Sequence, residues 1–70
     1  MTGNEFFPRL NALGTARGIP VLRDASLAKG SHETVYFGQN FTVLRNPKDE
    51  LKTGTFHAMS SQLGVKANDL

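Results

Sequence analysis

The sequence predicts an α+β domain of the order helix, three strands, helix (α-β-β-β-α), with a three-stranded antiparallel sheet and both helices on one face. Two stretches, one near each end of the chain, carry apolar residues at helical spacing. Between them lie runs rich in β-branched and aromatic residues, two of which flank a short loop that contains glycine. A run of strands flanked by helices favours an antiparallel sheet that is covered on one side.

The first helix is predicted over residues 2–14. Thr2 followed three residues later by Glu5 has the form of a capping box, and Gly14 suits the left-handed position at which a helix stops. Pro8 lacks a backbone donor, so we expect a kink or a helix start nearer Asn4. The apolar side chains share one face at helical spacing: Phe6, Phe7, Leu10 and Leu13.

Three strands are predicted after a polar link over residues 15–18. The second and third strands form a hairpin around residues 38–40, because a short loop with glycine lets two antiparallel strands pair. Pro20 indicates that the first strand lies at an edge of the sheet or that it starts there, and residues 24–29 are predicted as a loop. The three predicted strands are residues 19–23, 34–37 and 41–44.

A second helix is predicted after a charged connection over residues 48–52. The Asn-Pro pair at residues 46–47 ends the third strand. Either Thr53 or Thr55 would cap the helix, and Gly64 would stop it. The apolar side chains of this helix face one way: Phe56, Met59 and Leu63.

Length and composition limit the class of protein. The 70 residues predict a single small domain over residues 1–70. The absence of cysteine excludes disulfides, thiolate metal sites and a cysteine nucleophile, and it suits a reducing compartment. Because there is no leader-like segment and no run of about 20 apolar residues, we expect a cytoplasmic protein without a membrane partner. The net charge of +2 permits a polyanionic partner without indicating one.

His32 is the main candidate for chemistry. It lies between a glycine turn and the predicted second strand, in the run Lys29-Gly30-Ser31-His32-Glu33. Imidazole exchanges a proton near neutral pH, and an adjacent glycine lets a substrate backbone approach closely. Ser31 is not its partner, because neighbouring residues of a strand point to opposite faces. The chain offers no second histidine, cysteine or carboxylate pair at ligand spacing, so neither a metal nor a cofactor is predicted.

A lone general base or acid beside basic side chains is sufficient for cleavage of RNA. A histidine takes the proton from a 2′-hydroxyl as this group attacks its own phosphodiester, and nearby cations stabilise the charged transition state. The local pattern leaves a second interpretation open, in which the histidine is a half-exposed structural residue at the start of a strand.

Several side chains near His32 are candidates for contacts with RNA. Four basic residues would form a track of phosphate ligands or would only solvate a face: Lys29, Arg45, Lys48 and Lys52. Arg45 is the strongest of them, since it ends a strand and its planar fork binds phosphate well. Gly30 serves a turn that a substrate would approach, and Ser31 would donate to a phosphate or satisfy the turn backbone.

Three further polar residues have expected positions. Glu33 is expected to point away from His32 as a solvated strand residue. Tyr36 shares the face of the histidine, where it would orient a substrate or pack against its neighbours. His57, in the second helix, is expected at the surface.

An N-terminal helix, a Gly-Ser-His triplet, a hairpin and three later segments follow one another in this chain. The triplet is Gly30-Ser31-His32, and the later segments are Val43-Leu44-Arg45-Asn46-Pro47, Glu50-Leu51-Lys52-Thr53-Gly54-Thr55-Phe56 and Gln62-Leu63-Gly64-Val65. Their order and spacing resemble the HicA family of messenger-RNA interferase toxins over nearly the whole chain.

The resemblance implies a fold like that of the double-stranded-RNA-binding domain, whose order of helices and strands is the one predicted above. It also implies a toxin of a type II toxin-antitoxin system, a ribonuclease whose histidine, here His32, cleaves messenger RNA. The implied partners are messenger RNA and a cognate HicB-type antitoxin that covers the active face.

Three departures from the family pattern keep a second function open. Residues 15–28 form a longer connection than the family has between its first helix and the Gly-Ser-His motif. Leu44 and Asn46 stand where family members commonly carry proline and histidine, and residues 56–62 contain no lysine or arginine. Fewer cations lower the affinity for RNA, because each lost phosphate contact removes a counterion-release contribution. The alternative is a catalytically weak or inactive module of the same fold that binds RNA or protein.

Overall fold

The computed structural model describes residues 1–24, 32–45 and 47–70, and it has the predicted order of helix, three-stranded antiparallel sheet and helix. The α+β fold class is therefore confirmed. The helices and strands are α1 (Gly3–Arg17), β1 (Val21–Asp24), β2 (Glu33–Phe37), β3 (Asn40–Leu44) and α2 (Thr53–Leu63), followed by a short 3₁₀ helix, η1 (Ala67–Asp69).

The sheet has the strand order β1-β2-β3, so that β2 lies in the centre. β1 pairs with β2 in the register Val21 to Phe37, and β2 pairs with β3 in the register Glu33 to Leu44. The predicted hairpin is confirmed, with a turn one residue shorter than predicted because Asn40 already pairs with Phe37. Pro20 directly precedes β1, which is an edge strand of the described sheet, as the sequence indicates.

Both helices pack on one face of the sheet, as predicted. The rings of Phe6 in α1 and Phe56 in α2 meet edge to face with centroids 6.0 Å apart, which links the two helices directly. Alternate residues of β2 and β3 point into the same core. The buried apolar side chains are Phe6, Leu10, Val35, Phe37, Leu44, Met59, Leu63 and Val65.

The capping box at the start of α1 is confirmed. Thr2 is the N-cap residue, its hydroxyl accepts from the Glu5 N–H at 3.3 Å, and its own N–H donates to Glu5 Oε1 at 3.1 Å. The Thr2 N–H above all, and the Thr2 hydroxyl, which also donates to Glu5 Oε1 at 3.2 Å, lower the pKa of the exposed Glu5 carboxyl. Pro8 lies inside α1, which begins at Gly3 directly after Thr2.

The predicted end of α1 at Gly14 is wrong, because the helix continues to Arg17 and stops at Gly18. Gly18 has the left-handed φ of 67° and its N–H caps the last turn. Gly14 instead lets the chain after α1 pass close to the helix. A Cβ at this position would lie 2.4 Å from Val21 Cγ2 and 2.7 Å from the Ile19 carbonyl oxygen. Residues 15–17 therefore belong to the helix and not to a link.

The predicted end of α2 at Gly64 is confirmed, whereas the predicted cap at its start, Thr53 or Thr55, is wrong. Gly64 stops the helix with a φ of 75°. Lys52 occupies the N-cap position, and among the described side chains none caps this end, since Thr53 and Thr55 lie inside the first turn. Neither α1 nor α2, the two long helices in the described part of the chain, has the length and apolar composition of a membrane span.

The close approach at Gly14 predicts opposite effects for alanine at two glycines. Gly14→Ala should lower the free energy of unfolding by about 1–3 kcal/mol, because the new methyl group overpacks against Val21 and a backbone carbonyl. Gly54→Ala, where no atom lies within 4 Å of the added Cβ, should leave stability unchanged or raise it by up to about 1 kcal/mol. Urea denaturation of both variants measures the difference. Equal losses in the two proteins would contradict the assignment of Gly14 to a close approach.

Candidate functional site

One end of the sheet carries two of the residues that the sequence singles out. His32 directly precedes β2 and Arg45 directly follows β3. Because Glu33 pairs with Leu44, His32 and Arg45 stand one residue beyond the last pair, at the adjacent ends of neighbouring antiparallel strands. Both residues are exposed to solvent. The hairpin therefore brings together a proton-exchanging side chain and a guanidinium that are thirteen positions apart in the chain.

The rest of the Gly-Ser-His segment lies outside the described residues. This applies to Lys29, Gly30 and Ser31, and also to Asn46, which follows Arg45. The roles expected for these residues in contacts with RNA stay predictions.

Lys48 and Lys52 lie on the connection between β3 and α2. Lys48 is exposed in a turn, and Lys52 is exposed at the N-cap position of α2. The same connection carries Asp49 and Glu50, both exposed, and Glu50 forms an ion pair with the terminal ammonium group of the chain. The positive charge of this connection is therefore partly balanced by its own acidic residues.

The two helices differ in the electrostatics of their first turns. In α1 the N-terminal end is satisfied by the Thr2 hydroxyl and the Glu5 carboxylate. In α2 the first turn has no acidic residue, and the described residues provide no side-chain cap. Free N–H groups at a helix start carry the positive end of the helix dipole, and Lys52 adds a cation beside them. This end of α2 therefore suits an anion, in contrast to the start of α1.

The expectation that Glu33 is a solvated residue is wrong. Its carboxylate is partly buried on the helix-covered face of the sheet, where it forms an ion pair with Arg23 of β1. The Arg23 guanidinium also donates to Asn4 Oδ1 at 3.0 Å and lies 5.4 Å from the ring centroid of Phe7. Glu33 thus holds the start of β2, next to His32, against β1 and α1, and Arg23 is occupied by these partners.

Tyr36 and His57 each contact an aromatic ring of a neighbouring residue. Tyr36 lies half-buried on the face away from the helices, with its ring centroid 6.1 Å from that of Phe41 on β3. His57 is exposed on α2, as expected, and its ring meets the Phe56 ring edge to face at 5.8 Å. Among the described residues no group of three or more His, Cys, Asp or Glu side chains could hold a metal ion.

The exposed apolar residues of the sheet are not among the functional candidates predicted from the sequence. Leu22, Phe41 and Val43 are 61%, 58% and 44% exposed on the face away from the helices. A signal for them is present in β3, where Phe41 and Val43 alternate with the buried Thr42 and Leu44, so that the apolar pattern continues on both faces.

Comparison of the chain with protein-family models, with curated proteins and with solved structures finds no match. The site is therefore interpreted from its own residues.

Because the Arg23–Glu33 ion pair is partly buried, we expect Glu33 to contribute more to the free energy of unfolding than an exposed acidic residue does. Glu33→Gln should lower the free energy of unfolding by about 1 kcal/mol, because it leaves the partly buried Arg23 guanidinium without its counter-charge. The matched control is Asp49→Asn in the exposed turn, which should change stability by less than about 0.5 kcal/mol. Urea denaturation at neutral pH checks both, and a Glu33→Gln protein as stable as its parent would show that the pair contributes nothing.

Proposed function

We propose that the protein is a HicA-type toxin, an endoribonuclease that cleaves messenger RNA in the cytoplasm with His32 as its general acid and base. The observation that carries this proposal is the placement of His32 and Arg45, both exposed, at adjacent strand ends. The start of α2 also supports the proposal, because it suits an anion and carries Lys52 at the end of the segment that follows Arg45. The order of segments that resembles the HicA family supports the same function.

The proposed reaction uses a nucleophile that belongs to the substrate. The His32 imidazole takes the proton of a ribose 2′-hydroxyl, whose oxygen attacks the adjacent phosphorus. The bond from phosphorus to the 5′-oxygen of the next nucleotide breaks, and that oxygen receives a proton from the imidazolium. The products are a 2′,3′-cyclic phosphate and a 5′-hydroxyl, and His32 returns to its starting form.

The neighbouring cations have separate roles in this proposal. Arg45 is placed to stabilise the negative charge that develops on the phosphate oxygens, because its guanidinium donates two parallel hydrogen bonds. Lys48 and Lys52, together with the N–H groups at the start of α2, would bind phosphates further along the strand. A HicB-type antitoxin would neutralise the toxin by covering His32 and Arg45, since both side chains are accessible to a protein surface.

A specific observation favours the alternative of a weak or inactive RNA-binding or protein-interaction module. α2 contains no lysine or arginine between Thr53 and Leu63, so its length beyond the first turn offers no cation to a phosphate backbone. Affinity for RNA would then depend on few charges, and a protein partner such as an antitoxin would be the main ligand.

Substitution of the two histidines separates these functions. The wild-type protein should arrest growth when it is expressed and should cleave single-stranded RNA when purified. His32→Ala should lower the cleavage rate by about 10²–10⁴-fold, the usual contribution of a general acid-base group. His57→Ala, an exposed histidine on α2, is the matched control and should retain activity. Equal activity of the wild type and His32→Ala would exclude His32 as the catalytic group.

The proposed phosphate contacts predict a change in salt dependence. In a His32→Ala background, Arg45→Ala and Lys52→Ala should each weaken RNA binding and reduce the slope of log K against log[salt] by about 1. Lys66→Ala is the control, because this exposed lysine follows Gly64 at the opposite end of α2. Fluorescence anisotropy of labelled RNA at several salt concentrations measures the slopes. If the parent binds no RNA at any salt concentration, the protein-interaction alternative replaces the nuclease.

A further inference from the structure

The face of the sheet away from the helices carries mostly apolar and aromatic side chains in the described part of the chain, with Asp24 and Thr34 as its polar strand residues. The pairing register places Leu22 of β1, Tyr36 of β2, and Phe41 and Val43 of β3 on this outer face. An antiparallel sheet with one solvated face ordinarily carries polar residues there. The outer face of this sheet therefore departs from the expected pattern, and a ligand would explain the departure.

Tyr36 and Phe41 form an aromatic pair on this face. They are direct cross-strand partners, with ring centroids 6.1 Å apart and an angle of 46° between the ring planes. In the described sheet β3 is an edge strand, and the side chain of Phe41 is on its outer face with 58% of the residue exposed. The pair thus presents an accessible aromatic surface at the edge of the sheet.

The outer face leads to the proposed catalytic end. Outward positions alternate at residues 34 and 36 in β2 and at residues 41 and 43 in β3. The next outward positions beyond the strand ends are His32, directly before β2, and Arg45, directly after β3. Tyr36 is four residues from His32, which corresponds to about 13 Å along an extended chain. An extended single strand of a few nucleotides covers that distance.

We propose that the outer face binds single-stranded RNA, with bases stacked on Tyr36 and Phe41 and the phosphate backbone directed toward Arg45 and His32. This inference rests on the proposed function, for which it names the surface that binds the substrate. Unpaired bases stack on aromatic side chains with little preference for sequence, whereas the base faces of a duplex are already occupied by its own stacking.

Charge complementarity favours RNA as the occupant of this face. Arg45 extends the outer face at the end of β3, four residues along the chain from Phe41, and its charge is opposite to that of a phosphate backbone. Of the described outward strand residues, Asp24 is acidic, and it lies on β1, at the opposite side of the sheet from Phe41. The side of the face nearer to Phe41 is therefore the side that suits a polyanion.

Tyrosine fluorescence gives a direct test, because Tyr36 is the single tyrosine of the chain and there is no tryptophan. The full chain with His32→Ala is titrated with single-stranded oligouridylate and, separately, with an RNA duplex of the same length. Oligouridylate should quench the Tyr36 emission as it binds. The duplex should bind at least tenfold more weakly and leave the emission unchanged.

Two variants complete the test. Phe41→Leu keeps apolar bulk and removes the ring, and it should weaken binding of oligouridylate roughly tenfold. The matched control, His57→Leu, removes an exposed ring from α2 on the helix-covered side of the sheet and should bind like the parent. Urea denaturation establishes that both variants are folded, and sedimentation velocity establishes their oligomeric state.

The outcomes separate this inference from the proposed function. Salt-dependent binding that neither quenches Tyr36 nor responds to Phe41→Leu would place RNA elsewhere and overturn the inference, while cleavage that depends on His32 would still support the nuclease. Quenching without cleavage by the wild type would support the inference and overturn the nuclease. A dimer that Phe41→Leu dissociates, with no binding of oligouridylate, would assign the face to a second copy of the chain and overturn the inference.

Discussion

The packing of both helices against the same face of the sheet is the constraint from which the other features of the molecule follow. Phe6 of α1 and Phe56 of α2 are in direct contact, and Val35 of the central strand is fully buried in the same core. A domain of this length has apolar material for one such core, because a small domain buries only about 60% of the surface of its unfolded chain. The second face of the sheet is therefore left to solvent or to a partner.

One-sided packing also brings both helix starts to the same end of the molecule. The Asn4 N–H donates to the Pro47 carbonyl oxygen at 2.9 Å, so α1 begins against the connection that leads to α2. The strand ends that carry His32 and Arg45 lie at this end too. Two positive dipole ends would repel each other there, but the carboxylate of Glu5 neutralises the start of α1. The start of α2 keeps its positive potential for an anion.

Local patterns predict most of the fold and part of the site, whereas contacts between distant residues account for the errors. The hairpin, and with it the proximity of His32 to Arg45, follows from a turn signal within a few residues. The role of Gly14 cannot be predicted from a local pattern, because it depends on the approach of Val21 from the following strand. The pairing of Glu33 with Arg23 is equally hidden, since it requires the register between β1 and β2.

Charge and stacking act on different parts of the RNA in the proposed complex. The contacts proposed for Arg45, Lys48 and Lys52 are with the phosphate backbone, and each adds one counterion-release contribution that salt removes. The aromatic pair on the outer face contacts bases, and each stacked base adds a contribution of its own. A duplex presents the backbone without the base faces, so it would engage only the cations. Discrimination between single-stranded and duplex RNA would therefore come from the outer face of the sheet, and the proposed cleavage would take place at the end of the sheet, beside His32.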